Sequence, residues 1–232
     1  SWLTGHEAIA ANKMLERAFG GWSFDAFALA KVTGNRPLSS LGMHLFDRAG
    51  LVDEFRLNRE KLSRFLEEIE RGYGEANPYH NRAHGASVLH AMHSLLEHGG
   101  LMRAVSPVLD AEVLGGPREG ADECGAERSG AELEKMACLL AAVVHDYEHL
   151  GLSNDFLVKT SHTRAVRYND QHVNEHHHAA AAFDVLLRPE NNFLEHLPAH
   201  DFRRLRGLVI DLVLGTDMAQ HGQILKSAPP GL

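Results

Sequence analysis

Apolar positions recur at helical intervals along most of the chain. Between Leu57 and Tyr73, the residues Leu62, Phe65, Leu66 and Ile69 alternate with charged neighbours at steps of three and four, which predicts an amphipathic helix with one buried stripe. Val88 to Leu96 repeats the pattern. Met136 to Val144 is an unbroken apolar run, far shorter than the roughly 20 residues a membrane span needs. It predicts a central core helix, apolar on every side over Ala137 to Val144, and Leu208 to Leu214 predicts another buried helix. No β-branched run alternates over strand length. Breaks fall at Gly20-Gly21, Thr33 to Pro37, Gly72 to Pro78 and His98 to Gly100, and a further break is expected at Leu187-Arg188-Pro189, where Pro189 stops an alanine-rich helix. The predicted fold class is all-α, one compact multi-helix domain over 1–232 with no linker and no repeat.

Ser106 to Gly130 carries two prolines, five glycines and mixed charges without an apolar period. It is expected to form a surface loop, an insertion at about 106–130 between two core helices.

Composition changes this picture little. The chain has 232 residues, 44% of them hydrophobic, so it can bury an ordinary core without staples. Its net charge of −8 argues against nucleic acid as a partner, because phosphate backbones want a basic stripe. A phosphate substrate stays open if metal ions supply the positive charge. Cys124 and Cys138 form neither a CxxC nor a disulfide framework, so a reducing, cytoplasmic compartment is expected, with Cys138 in the core and Cys124 in a loop. No secretory signal and no membrane segment is visible. The chain starts at Ser1 rather than Met, so a piece of a longer protein is expected, and a homodimer is left open.

The departure is histidine, at 17 of 232 residues. Chance placement would give about one pair at the i,i+4 spacing that puts two imidazoles on one helix face. The chain has four: His80/His84, His145/His149, His172/His176 and His196/His200. Three clusters hold most of the candidate chemistry. Tyr79-His80-Asn81-Arg82-Ala83-His84 follows Asn77-Pro78, which is expected to open a helix carrying His80 and His84 on one face. His145-Asp146-Tyr147-Glu148-His149 ends the apolar run, and Asn174-Glu175-His176-His177-His178 begins the alanine-rich helix. A carboxylate at the polar end of an apolar helix has two oxygens, so Asp146 could bridge two metal ions, with imidazole suiting zinc or iron and carboxylate suiting magnesium or manganese. A helix-end His-Asp pair that merely caps or meets solvent is the plainer alternative. A fourth element, Gly215-Thr216-Asp217-Met218-Ala219-Gln220-His221, adds a hydroxyl, a carboxylate and an imidazole.

Taken in order, His80-Asn81-x-x-His84-x-Ala86, His145-Asp146-x-x-His149-x-Gly151-x-x-Asn154, Glu175-x-His177-His178 and Thr216-Asp217-Met218-x-x-His221 resemble a class I 3′,5′-cyclic nucleotide phosphodiesterase catalytic domain. Asn35-Arg36-Pro37-Leu38 and Tyr168-Asn169-Asp170 resemble further stretches of that family, so the likeness runs from about Gly21 to His221. It implies that His84, His145 and Asp146 are metal ligands, with Asp146 bridging zinc and a second ion, usually magnesium. It implies that His80 is the general acid for the leaving 3′ oxygen. His149, Glu175 and Thr216 would hold waters on the second metal, with Asn154 and Asp217 supporting the site. The implied reaction is attack of a metal-bridging hydroxide on cAMP or cGMP to give the nucleoside 5′-monophosphate, in signal transduction.

Two departures from the family pattern stand out. His176 occupies the place where the family carries Asn. The family's fourth metal-ligating aspartate and its purine-gripping glutamine and aromatic clamp lie well downstream of Thr-Asp-Met, past Leu232, so an incomplete domain, truncated at its C-terminal end, is expected. The competing expectations are another His-Asp metal phosphohydrolase and a non-catalytic phosphodiesterase-like domain kept for dimerisation or regulation.

Overall fold

The computed structural model describes residues 5–101 and 123–220, and within them every regular element is helical. The first half contributes α1 (Gly5–Phe19), α2 (Ala26–Val32), α3 (Pro37–Arg48), α4 (Leu51–Glu54), α5 (Arg59–Gly72) and α6 (Arg82–Glu97). The second half contributes α7 (Glu123–Val144), α8 (Asn154–Lys159), α9 (Thr163–Arg167), α10 (Val173–Leu186) and α11 (Ala199–Leu214), closed by a 3₁₀ turn at Met218–Gln220. The all-α expectation holds.

Helix α7 is the axis. Every residue from Met136 to His145 is buried, and the helix packs against α3, α5, α6, α10 and α11. Nothing polar interrupts its apolar stretch up to Val144, so it can only be stable surrounded on all sides. Helix α5 starts where Asn58 accepts from the amides of Glu60 and Lys61, and its apolar stripe Leu62, Phe65, Leu66 and Ile69 is at most 1% exposed. Burying each of those side chains contributes about 1.5–3 kcal/mol. Helix α3 has no cap of its own at Arg36; instead the buried Glu70 carboxylate on α5 accepts from the amides of Leu38 and Ser39 and from the Ser39 hydroxyl. Its Oε1 is 2.7 Å from the Leu38 nitrogen. One side chain thereby joins two helices and satisfies donors that a helix start leaves orphaned.

Three details differ from the expectations. Helix α6 opens at Arg82, because the Asn81 side chain accepts from Ala83 and His84 N–H and acts as the cap. Asn77 makes the same kind of bond to the Tyr79 and His80 amides, but that turn is not propagated, so His80 stands in the loop before the helix rather than on its face. The loop expected to Gly130 ends earlier: Glu123–Val144 is one helix, since Glu, Ala and Arg between 123 and 130 extend it backwards from the apolar run, and Cys124 falls within it. The remainder of that segment, 106–122, and His221 lie outside the described residues. Leu208 to Leu214 is not buried all round: Leu208, Val209 and Val213 face the core while Asp211 and Leu212 are exposed. The alanine-rich helix ends at Leu186, at the break expected over Leu187-Arg188-Pro189.

Two glycines make room for buried tyrosine rings. A Cβ on Gly72 would overlap the Tyr147 ring, and one on Gly85 would lie 3.1 Å from Cζ of Tyr73.

Candidate metal centre

The end of α7 is where the chemistry gathers. His145 is the first residue past the helix, 8% exposed, and its Nδ1 donates to the Ala142 carbonyl at 3.0 Å. That bond leaves Nε2 as a lone pair, and Nε2 lies 3.3 Å from Nε2 of His84, on the first turn of α6. Oδ2 of Asp146 is 3.2 Å from each of those nitrogens. Three donor atoms thus form a nearly equilateral triangle. Ligands about 2.0–2.1 Å from a tetrahedral zinc stand about 3.3 Å apart, so this triangle has the dimensions of one face of such a site.

A second group shares the same carboxylate. His80 Nε2 lies 4.0 Å from Asp146 Oδ2, and the His80 ring stacks on His149 at 3.8 Å between centroids. His80, Asp146 and His149 offer ligand atoms all within 4.8 Å of one another. Asp146 is therefore common to two donor sets. His178 faces it from α10: its Nδ1 donates to the Tyr147 carbonyl at 2.6 Å, and its Nε2, buried and without a hydrogen-bond partner, is 3.9 Å from Asp146 Oδ1. A buried lone pair with no proton to accept is costly unless something else uses it. A cation between these groups answers that need, so the residues fit a divalent ion.

Electrostatics agree with the geometry. Burial alone would raise the Asp146 carboxyl; the His145 and His84 imidazoles set against it outweigh that and hold the group far below the ordinary carboxylate range. Burial lowers His149 to about 4, helped by His80, and lowers His178 to about 3. Burial also lowers His80, with Asp146 pulling the other way. His149 and His178, neutral beside an ionised carboxylate, act as ligand groups rather than ion-pair partners.

The rim is built by α8, α10 and the turn after α11. Asn154 Nδ2 donates to Glu175 Oε2 at 2.8 Å, and Asn154 Oδ1 accepts the Asn174 amide. Burial raises the Glu175 carboxyl, and Asn154 partly offsets it. The Thr216 hydroxyl donates to the Val213 carbonyl at 2.7 Å, while Asp217 meets His172 Nδ1 at 2.8 Å. His172 holds φ of 42° as the residue preceding α10.

The nine residues singled out from the sequence — His80, His84, His145, Asp146, His149, Asn154, Glu175, Thr216 and Asp217 — all line one open cleft of about 800 Å³. That volume lies in the range of ligand sites. Sequence reasoning gives no role to three neighbours: His178, His172 and Tyr73. His178 enters there only as part of the Glu-x-His-His stretch, His172 only as half of an i,i+4 pair, and Tyr73 only as the end of an apolar pattern.

Among the described residues, several imidazoles and one shared aspartate converge at helix ends as groups that could hold a divalent ion. The family model described as 3′5′-cyclic nucleotide phosphodiesterase matches residues 79–229, and the chain belongs to that family. It is 38% identical over 207 residues to the dual specificity calcium/calmodulin-dependent 3′,5′-cyclic nucleotide phosphodiesterase 1 of Drosophila melanogaster, covering 89% of this chain and 22% of that protein. It is 37% identical over 204 residues to the probable 3′,5′-cyclic phosphodiesterase pde-3 of Caenorhabditis elegans, covering 88% of this chain and 30% of that one. The crystal structure of the phosphodiesterase domain of Salpingoeca rosetta rhodopsin phosphodiesterase matches with a TM-score of 0.69 at 30% identity, over 93% of this chain and 56% of that one. The chain thus spans under a third of these two curated relatives and just over half of the solved domain.

Proposed function

We propose that the chain carries the metal-binding part of an enzyme that hydrolyses a 3′,5′-cyclic nucleotide, cAMP or cGMP, to the nucleoside 5′-monophosphate. The observation that carries the reading is the triangle of His84 Nε2, His145 Nε2 and Asp146 Oδ2, with sides of 3.2, 3.2 and 3.3 Å, at the floor of the cleft. The donor set suits zinc at those three residues. His149, Glu175 and Thr216, which line the same cleft, would hold waters of a second ion, magnesium or manganese, with Asn154 and Asp217 steadying them. Divalent ions there neutralise phosphate charge and lower the pKa of a bound water toward neutrality.

The chain's own residues do the rest. As the oxygen of hydroxide bonds to phosphorus, the bond from phosphorus to the 3′ oxygen breaks, and the departing oxygen needs a proton. His80 supplies it. Its ring projects from the loop before α6, steadied by stacking on His149, and burial makes its proton easier to give up. Asp146, ionised and anchored between His84 and His145, keeps the centre's charge fixed while His80 changes protonation state.

The test is hydrolysis of cAMP and cGMP by the 232-residue chain with added Zn²⁺ and Mg²⁺, beside Asp146→Ala. Turnover that the substitution abolishes is the expected result. Turnover that survives it would remove the reading.

A further inference from the structure

Tyr73, the residue that ends α5, is fully buried, and its hydroxyl lies between two backbone groups on either side of His145. It donates to the Val143 carbonyl at 2.9 Å and accepts from the Asp146 amide at 3.3 Å. A helix end leaves its last carbonyls without intrahelical donors, and Val143 is one of them. The Asp146 amide lies beyond the helix, and among the described residues its acceptor is this hydroxyl. The ring has little freedom to drift: Gly85 gives it room on one side with nothing to spare, and the His145 ring stands 6.4 Å away on another.

We infer that Tyr73 is a positioning residue of the metal centre: by joining the Val143 carbonyl to the Asp146 amide, its hydroxyl sets the turn that aims the Asp146 carboxylate at His84 and His145. It touches neither the nucleotide nor an ion. The hydroxyl acts through the backbone, and Asp146 is the residue both donor sets share, so a small rotation there misplaces both. Sites of this kind tolerate errors of about 0.5 Å before they loosen. The inference rests on reading His84, His145 and Asp146 as metal ligands.

The experiment uses the full chain as wild type, as Tyr73→Phe and as Thr33→Val. The last is a control that deletes a different buried hydroxyl bond, from Thr33 to the Leu29 carbonyl. Two quantities are measured on metal-free protein: exchange of the Asp146 amide by NMR, and Zn²⁺ affinity by competition with a chromophoric chelator. Tyr73→Phe should keep its far-UV circular dichroism, exchange the Asp146 amide at least about tenfold faster, and bind zinc roughly 10–100-fold more weakly, as loss of an orienting partner typically does. Thr33→Val should lower Tm and change neither quantity. Unchanged exchange, or unchanged zinc affinity in folded Tyr73→Phe, overturns the inference. Should Tyr73→Phe fail to fold, an Asp146 amide that exchanges at the free-peptide rate in the wild type overturns it equally. A wild type that takes up no zinc would instead overturn the metal reading itself, with the exchange rates still deciding whether Tyr73 holds that amide.

Discussion

Helix α6 carries histidines in its first turn and again past its middle, and the two groups do opposite things. His84, in the first turn, points its Nε2 at another imidazole nitrogen and a carboxylate. His90 and His93, about two turns later, are 5% and 1% exposed and use Nε2 on backbone carbonyls: His90 on Ala18 and Gly21 at 3.1 and 3.2 Å, His93 on Phe19 at 3.0 Å. Those carbonyls belong to the end of α1 and the turn after it, where helix carbonyls want donors. Phe24 and Phe19 pack their rings on those of His90 and His93. A buried histidine whose donor is already spent on a carbonyl is a clasp. One whose lone pair meets other donors' lone pairs is a ligand.

The comparison breaks most sharply at Asp146. Asp146→Ala should lower metal content by at least about 100-fold after dialysis, read by elemental analysis, because both donor sets lose their common member. His90→Ala should leave metal content untouched; equal loss in both variants would erase the distinction between clasp and ligand. Next in size is His80→Ala, expected to keep its metal and to lose about 10²–10⁴-fold in kcat, the range for a removed general acid. Loss of metal together with kcat would move His80 from acid to ligand.

His90→Ala and His93→Ala should each cost about 1–3 kcal/mol, the range for stranding buried carbonyl partners, seen in urea titration. Their pH behaviour sharpens the contrast. Burial lowers both imidazoles below the ordinary value of 6.5, against the pull of their carbonyl bonds. Below that value the unfolded chain takes up protons that the folded chain refuses. Their contribution is therefore whole above pH 6.5 and fades as pH falls beneath it. Tm measured from about pH 7 down to about 5 should drop in the wild type and drop less in the double variant with both residues changed to Gln. The smallest effect is expected at Glu70→Ala, about 1–2 kcal/mol from an uncapped α3, with no change in metal content.

Much of the centre is legible in the sequence because its residues sit close together along the chain. His145 and Asp146 are adjacent, His149 follows by one turn, and the apolar run before them announces a helix whose polar end must face something. The order of motifs then carries Glu175 and Thr216. What stays hidden depends on contacts across long separations. Tyr73 reaches Val143 from 70 positions away, and nothing in a period of three or four marks a hydroxyl that will meet a backbone amide. His177 and His178 are neighbours of the same type, yet one bonds Glu148 and the other the Tyr147 carbonyl; only packing separates them. The start of α6 is ambiguous in the sequence because Asn77 and Asn81 carry the same capping signal four residues apart. Which one wins is settled by the cleft that His80 must enter.

Gly72 shows how far the site's demands reach. It is half-buried, bears no functional group and touches no metal-site atom. Yet any side chain there would collide with the Tyr147 ring, whose own residue follows Asp146 and whose carbonyl holds His178. A library of substitutions scored for survival would rank position 72 beside the ligands themselves. Position 72 is thus expected to accept little beyond glycine, at a place where no chemistry happens.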